Sequence, residues 1–281
     1  MATLWENVQR AVEKIQSAGV SEPFASARTL MSSVLDIASE QVVLHRSREL
    51  NSDEAEKFWR LVERRAKGEP VAYILGRCEF FSIQLRVGQG ALIPRPETEH
   101  VVEAALDLIN RFDKPLILDL ATGCGCIAIA IAKNSNRARI IASDVSKSAL
   151  SWAARNVGEH GLSNRIMIVH ADMVSCFAQV FDMVVCNPPY ISESELRSIS
   201  REVSGFEPNE ALIAGESGLE FIARMLDETR RVIVPQGFLI FEISSGQFES
   251  IERLVRSCGW AIIDVRRDLA NIQRVVVAKK A

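Results

Sequence analysis

The sequence predicts an α/β protein: a doubly wound, Rossmann-like sheet domain with a smaller helical domain ahead of it. Three observations predict this. The first 75 or so residues carry apolar side chains at helical spacing and no strand pattern. From Leu116 onward, short apolar strands alternate with helices, the mark of a sheet covered on both faces. A glycine-containing loop, Asp119-Leu-Ala-Thr-Gly-Cys-Gly-Cys126, joins the first of those strands to its helix.

The elements follow in order. Leu4, Trp5, Val8, Ala11, Val12 and Ile15 recur at helical spacing until Gly19 stops the run. A second helix starts at Pro23, with Phe24, Ala27, Leu30, Met31, Val34 and Leu35 on one face. Ser39 is placed to cap a short third helix over 41–45. Asn51 with Glu54 reads as a capping box for a fourth, which carries Phe58, Leu61, Val62 and Arg65 and ends at Gly68. These helices make residues 1–75 a helical domain. Phe81, Ile83, Leu85 and Val87 then alternate with polar residues, so 76–95 reads as a β-hairpin linker. Pro94-Arg-Pro-Glu-Thr-Glu99 opens a helix carrying Val101, Val102, Ala105, Leu106 and Ile109. In the sheet domain, 96–281, strands are expected over 116–119, 140–144, 166–170, 181–186, 237–242, 261–265 and 275–278. Helices are expected over 127–133, after the cap Ser146, over 219–234 and over 248–258. The last two strands have no helix between them, which predicts an antiparallel pair at the sheet edge.

Composition narrows the function class. Of 281 residues, 48% are apolar, enough for a real core, and the net charge of -3 argues against a basic nucleic-acid binder. No stable nucleic-acid binding is expected, and no membrane association, because no apolar run approaches the roughly 20 residues of a span. The first residues have no basic or apolar leader pattern, and six cysteines form no C-x-x-C pair. A reduced, cytoplasmic protein is expected. Four scattered histidines leave no His-based metal site, and no metal is expected.

The loop is the first candidate site. Gly123 and Gly125 allow a tight turn and close approach of a ligand to the backbone, and Asp144 ends the next strand about 20 residues on, where a carboxylate reaches ribose hydroxyls. This indicates a nucleoside-containing cofactor. A dinucleotide loop would carry a third glycine, yet here Ala121-x-Gly123-x-Gly125 is followed by Ile127 and Ala128. The leading Asp119 would repel a pyrophosphate but could accept from an ammonium group, such as that of S-adenosylmethionine. After the third strand, Asp172 could accept from an adenine amino group and Met173 could pack on its ring. The second site is Asn187-Pro188-Pro189-Tyr190, at the end of strand 181–186. Two prolines remove two N–H donors and leave the carbonyls of Asn187 and Pro188 free to accept. With the Asn187 amide and the flat Tyr190 ring, they suit a planar amide or amino group.

With these motifs taken together, the chain resembles the release-factor glutamine methyltransferases, the PrmC/HemK family. The likeness runs from about residue 68 to 274. It rests on Gly68-Glu-Pro-Val-Ala-Tyr-Ile-Leu-Gly76, Leu92-Ile-Pro-Arg-Pro-Glu-Thr-Glu99, Asp119 to Gly125, and Asn187 to Tyr190. Glu207-Pro208, Ala211-Leu212, Gly215, Gly218-Leu219, Glu242-Ile243, Gln247, Asp268-Leu269 and Arg274-Val275-Val276 continue it. The resemblance implies a class I methyltransferase domain and S-adenosylmethionine as donor with S-adenosylhomocysteine as product. A monomer is expected. The resemblance also implies as substrate the glutamine of the Gly-Gly-Gln motif in class 1 peptide-chain release factors, with the helical domain recognising that protein. On this reading Asn187, Pro188 and Tyr190 are catalytic, and Asn187 to Tyr190 bind the substrate amide. Asp119, Ala121, Thr122, Gly123, Cys124, Gly125, Asp144, Asp172, Met173 and Asn187, with Glu97 and Thr98 folded over the ligand, hold the cofactor.

The chain departs from the pattern in places. Ala121 stands where Gly is common, which a negative φ would tolerate. Met173 stands where aromatics are common, and Asn271 replaces a common Gly but can also turn left-handed. Cys124 and Cys126 read as small fillers. The same motifs would suit a glutamine methyltransferase acting on a ribosomal protein, or an adenine-N6 DNA methyltransferase, whose flipped base would stack on Tyr190. The negative charge and the lack of a target-reading domain weigh against DNA. A non-catalytic cofactor-binding module is the remaining class.

Overall fold

The computed structural model describes residues 2–178 and 180–280. It divides into two compact units, one running up to Arg77 and including Ser200–Phe206, the other made of Cys78–Ile199 and the chain from Glu207 on. The first unit holds α1 (Leu4–Ser17), α2 (Pro23–Leu35), α3 (Gln41–Leu44), α4 (Ser52–Ala66) and α5 (Val71–Leu75). Capping boxes at Thr3/Glu6 and Asn51/Glu54 open α1 and α4, each satisfying two N–H groups the helix itself leaves unpaired. Leu4, Val8, Ile15, Leu30, Met31, Phe58 and Val62 close the core, all fully buried. Ser39 does not cap α3. The cap position is Glu40, already helical, and the Gln41 side chain takes the Ala38 N–H at 3.0 Å instead.

The second unit opens with a hairpin, β1 (Arg77–Phe80) and β2 (Ile83–Arg86). Phe81 is not a strand residue, as its alternation predicts, but sits with Ser82 in the turn, both at positive φ (51° and 57°). A carboxylate oxygen of Glu99 accepts the Phe81 N–H at 2.8 Å and helps hold that turn. Then follow α6 (Glu99–Ile109), β3 (Leu116–Leu120), α7 (Cys126–Asn134), β4 (Arg139–Asp144), α8 (Lys147–Glu159), β5 (Ile166–His170), β6 (Phe181–Cys186) and β7 (Ile191–Ser192). After α9 (Arg201–Phe206), which belongs to the first unit, come β8 (Ile213–Gly215), α10 (Glu220–Thr229), β9 (Ile233–Glu242), α11 (Phe248–Ser257), β10 (Trp260–Arg267) and β11 (Gln273–Lys280).

Seven strands form one sheet in the order β10-β11-β9-β6-β3-β4-β5. Pairs from β9 to β5 are parallel, and β11 lies antiparallel between β9 and β10. The predicted antiparallel pair is therefore present, with β10 outermost. The helix predicted over 219–234 stops at Thr229, and β9 starts at Ile233, before Pro235. A register shift makes room: Phe181 pairs with Ile233, but Met183 pairs with Phe238. Gln236 turns at φ 67° inside this bulge, where a proline costs no ladder bond. Leu118, Val184, Leu239 and Phe241 from three strands pack with Ile222, Met225 and Leu226 of α10 and Ile251 and Val255 of α11. Among the described residues, no helix is long and apolar enough to cross a membrane.

Candidate functional site

The chain runs from β3 to β4 and β5 on one side and returns to β6 on the other, so a crevice opens at the carboxyl ends of these strands. A cleft lies there. Its walls include Ala121, Thr122, Gly123 and Cys124 after β3, Asp144 at the end of β4, Ala171, Asp172 and Met173 after β5, and Asn187 and Pro189 after β6. Thr98, Leu92 and Pro94 close one side, and Pro208, Glu210, Ala211 and Phe221 another. Two motifs about 65 residues apart thus share one wall.

Strand register builds the loop wall. Thr122 N–H donates to the Ser143 carbonyl at 2.9 Å, tying the end of β3 to β4. Gly123 N–H donates at 2.9 Å to one oxygen of Asp144, whose other oxygen takes the Ser146 N–H at 2.9 Å. Gly123 and Gly125 turn at φ 58° and 86°, a region open to glycine at little cost. Ala121 also turns left, at φ 55°. This corrects the expectation of a negative φ there: the backbone keeps the glycine shape although the residue carries a methyl group.

Asp119 lies behind this wall, fully buried and not among the residues lining the cleft. One oxygen accepts from Thr122 Oγ1 at 2.5 Å and from the Ala128 N–H at 3.0 Å, at the start of α7. The other, Oδ1, is buried with no partner among the described residues. Burial pushes this carboxyl up to about 7, against the two hydrogen bonds and with help from Asp144. Burial also raises Asp144, against bonds from Ser146 and Gly123. An orphaned, buried carboxylate oxygen behind a glycine loop suits a cationic group and disfavours a phosphate.

Asp172 is exposed and gripped by Arg224 of α10, Nη1 to Oδ1 at 2.8 Å and Nη2 to Oδ2 at 2.9 Å. That hydrogen bonding lowers its pKa. The expected free acceptor is thus already bidentate, although each oxygen keeps a lone pair. Met173 is buried at φ 51° in the cleft wall. Cys124 and Cys126 are buried free thiols, in keeping with fillers.

Asn187 leaves β6 with its Nδ2 donating to Thr98 Oγ1 at 2.9 Å, while its Oδ1 is buried and has no partner among the described residues. Thr98, 1% exposed, donates in turn to Glu242 at 2.6 Å. Tyr190 also hydrogen-bonds Glu242; burial first, then that carboxylate, holds the phenol well above its ordinary range. The Tyr190 carbonyl accepts from Gln247 at 2.9 Å, and a Cβ on Gly218 would come within 2.8 Å of it. The Gly218 and Gln247 motif positions are thereby explained. Glu97, Gly125, Pro188 and Tyr190 do not line the cleft, though Pro188 is buried beside it. Arg95 pairs with buried Glu207 at 2.6 Å, and the same carboxylate takes the Ile93 N–H at 3.0 Å. Sequence reading assigned no task to Glu242, Glu207 or Arg224. The first two stand in quoted motifs, but only the folded chain sets them behind residues of the cleft wall, Glu242 bonded to Thr98 and Glu207 to the Ile93 N–H.

Residues 6–76 match the family described as PrmC N-terminal domain, and 101–203 match the methyltransferase small domain. A release factor glutamine methyltransferase of Nitratidesulfovibrio vulgaris is 36% identical over 99% of this chain and 96% of its own. One from Koribacter versatilis is 34% identical, covering 99% of both. One from Thermodesulfovibrio yellowstonii is 38% identical over 83% of this chain and 84% of its own. Among solved structures, the catalytic domain of hMettl16 in complex with an RNA hairpin aligns with a TM-score of 0.57 at 16% identity, covering 82% of each chain. A methyltransferase from Pyrococcus furiosus aligns at 0.53 and 15%, covering 72% of this chain and 91% of that one. These two likenesses carry the methyltransferase fold.

Proposed function

The chain belongs to the release factor glutamine methyltransferases, and on that premise we propose that it methylates the side-chain nitrogen of the Gly-Gly-Gln glutamine in class 1 release factors. The observation that carries the reading is the buried Oδ1 of Asn187, without a partner among the described residues, in the same cleft as the glycine loop. A free acceptor there is costly unless something comes to donate to it. A primary amide brings two N–H bonds.

S-adenosylmethionine, when bound, supplies a methyl group made electrophilic by a sulfonium. The residues present fit it: Asp144 for ribose hydroxyls and Met173 and Asp172 for the adenine line the cleft, and the orphaned Oδ1 of Asp119, for its ammonium, lies behind the loop wall. The loop Ala121, Thr122, Gly123, Cys124 and Gly125 gives the backbone approach, with Thr98 in the wall and Glu97 beside it. The remaining work falls to the tetrapeptide. An amide nitrogen is a poor nucleophile because its lone pair is shared with the carbonyl. Asn187 Oδ1 and the Pro188 carbonyl accept its two N–H bonds, orient it and stabilise charge that builds on nitrogen. Tyr190 packs against the flat amide, so that much of the gain is positional. The proton leaves late, to water. We assign residues 1–75 to recognition of the release factor, 76–95 to the linking hairpin and 96–281 to transfer.

Incubating the protein with S-adenosylmethionine and, in parallel, a release factor, ribosomal protein and duplex DNA tests this. Mass spectrometry should find one added methyl, on the Gly-Gly-Gln glutamine. Methylation of the ribosomal protein or of adenine, with none on the release factor, would overturn it.

A further inference from the structure

An asparagine amide can present either end to a ligand. The proposed chemistry needs the oxygen, so something in the protein must choose. Asn187 and Glu242 leave neighbouring parallel strands side by side, because Cys186 pairs with Phe241. Between them stands Thr98, whose hydroxyl has one hydrogen. That hydrogen goes to Glu242 Oε2 at 2.6 Å, since an ionised carboxylate only accepts. The Thr98 oxygen is left with lone pairs alone and must accept, so it takes the Asn187 Nδ2–H at 2.9 Å. The Asn187 oxygen is thereby turned away from Thr98, and it has no protein partner among the described residues.

We propose that Glu242 is a positioning residue for Asn187: acting through Thr98, its carboxylate decides which end of the Asn187 amide serves as acceptor in the cleft. The proposal rests on the glutamine methyltransferase reading above. The second donor to Glu242, Tyr190, ties the other end of the same tetrapeptide to the same carboxylate. Glu242 itself is 2% exposed and does not line the cleft, so it acts at one remove from the substrate.

The relay is polar and therefore reversible. A protonated Glu242 has a hydrogen to give to Thr98, which frees the Thr98 hydrogen to point at Asn187. The amide is then satisfied with its oxygen toward Thr98 and its NH₂ toward the cleft. Burial pushes the Glu242 carboxyl up to about 7, the bonds from Thr98 and Tyr190 oppose this, Glu97 adds to it and Arg274 draws it down. The other titratable group facing it, Cys186, is buried and holds its proton well above the ordinary range. The oriented acceptor is thus present above the Glu242 pKa and lost as pH falls through it.

Steady-state transfer to a release factor at saturating S-adenosylmethionine, from about pH 6 to 9, tests the relay. Calorimetric cofactor affinity and melting temperature are measured alongside. Glu242→Gln supplies one acceptor oxygen for two donors and should lower kcat roughly tenfold or more, with KM for the release factor within about threefold. Thr98→Val should do the same, and Thr98→Ser, which restores the hydroxyl, should recover most of the rate. The fall in kcat below about pH 7 in the wild type should be absent from Glu242→Gln. If Glu242→Gln and Thr98→Val kept kcat within about threefold while Asn187→Ala was inactive, the relay would be wrong and the function would stand. If Asn187→Ala also kept its rate, both would fall.

Discussion

Ala121 holds a left-handed backbone, φ 55°, that its methyl group disfavours by about 1–2 kcal/mol. Glycine at this position relieves that strain but frees the unfolded chain by about half as much. Ala121→Gly should therefore raise stability by roughly 0.5–1 kcal/mol, read from chemical denaturation. A midpoint that stayed put or fell would mean the loop is shaped by something other than this residue. The sequence shows the loop but not the sign of φ, because that sign is imposed by where β3 must deliver the chain to α7. Asn271, by contrast, turns left at φ 62° as its short amide allows. Asn187 is the residue on which the proposed chemistry depends most. Asn187→Ala should cut transfer by about 10²-fold or more yet leave cofactor affinity within a few-fold. Turnover near that of the wild type would remove it from the mechanism.

Elements raise a different question, since α9 lies far along the chain yet joins the first unit. Its Glu202 pairs at 2.8 Å with Arg65 of α4, whose side chain is only 4% exposed. Arg65 also bonds Ser26 Oγ at 3.0 Å and the Ser21 carbonyl at 3.0 Å. Burial works against the Glu202 carboxylate, but the bonds from Arg65 and Ser21 outweigh it and lower its pKa. Removing the Arg65 side chain takes away its bonds to Ser26, Ser21 and Glu202, while Glu202 stays partly exposed and bonded by Ser21, so Arg65→Ala should destabilise the helical unit by about 1–3 kcal/mol in thermal unfolding. With a lowered pKa, the Glu202 contribution is present above its unfolded value and lost as pH falls through the folded one. An Arg65→Ala melt unchanged at neutral pH would show the pair to be dispensable. Helical spacing placed Arg65 on the buried face with Phe58 and Val62, but nothing in the sequence names a partner 137 residues away. The same limit explains Pro235: a strand that reads as starting after the proline starts before it, because a bulge against β6 absorbs it.

For the molecule as a whole, the two buried carboxylates of the site govern pH behaviour. Asp119 and Glu242 are each pushed up to about 7, mainly by burial. A raised folded pKa gives stability that is fully present below the unfolded value and lost as pH rises through about 7. Without cofactor, Asp119 alone should lower stability by roughly 1–1.5 kcal/mol between about pH 6 and 8, a loss that Asp119→Asn abolishes. An ammonium beside Asp119 favours its ionised form, so S-adenosylmethionine affinity should rise across the same range and flatten in Asp119→Asn. Calorimetry that found equal slopes in both proteins would separate Asp119 from the ammonium. Much of this molecule is determined by local pattern: the capped helices, the alternating strands, the loop after β3 and the tetrapeptide after β6, because spacing and turn chemistry act over a few residues. The tertiary structure alone decided that Thr98, Glu242 and Tyr190 meet, that Arg224 holds Asp172, and that Asp119 lies behind the wall. Those outcomes depend on strand order and burial, and no short stretch of sequence carries either.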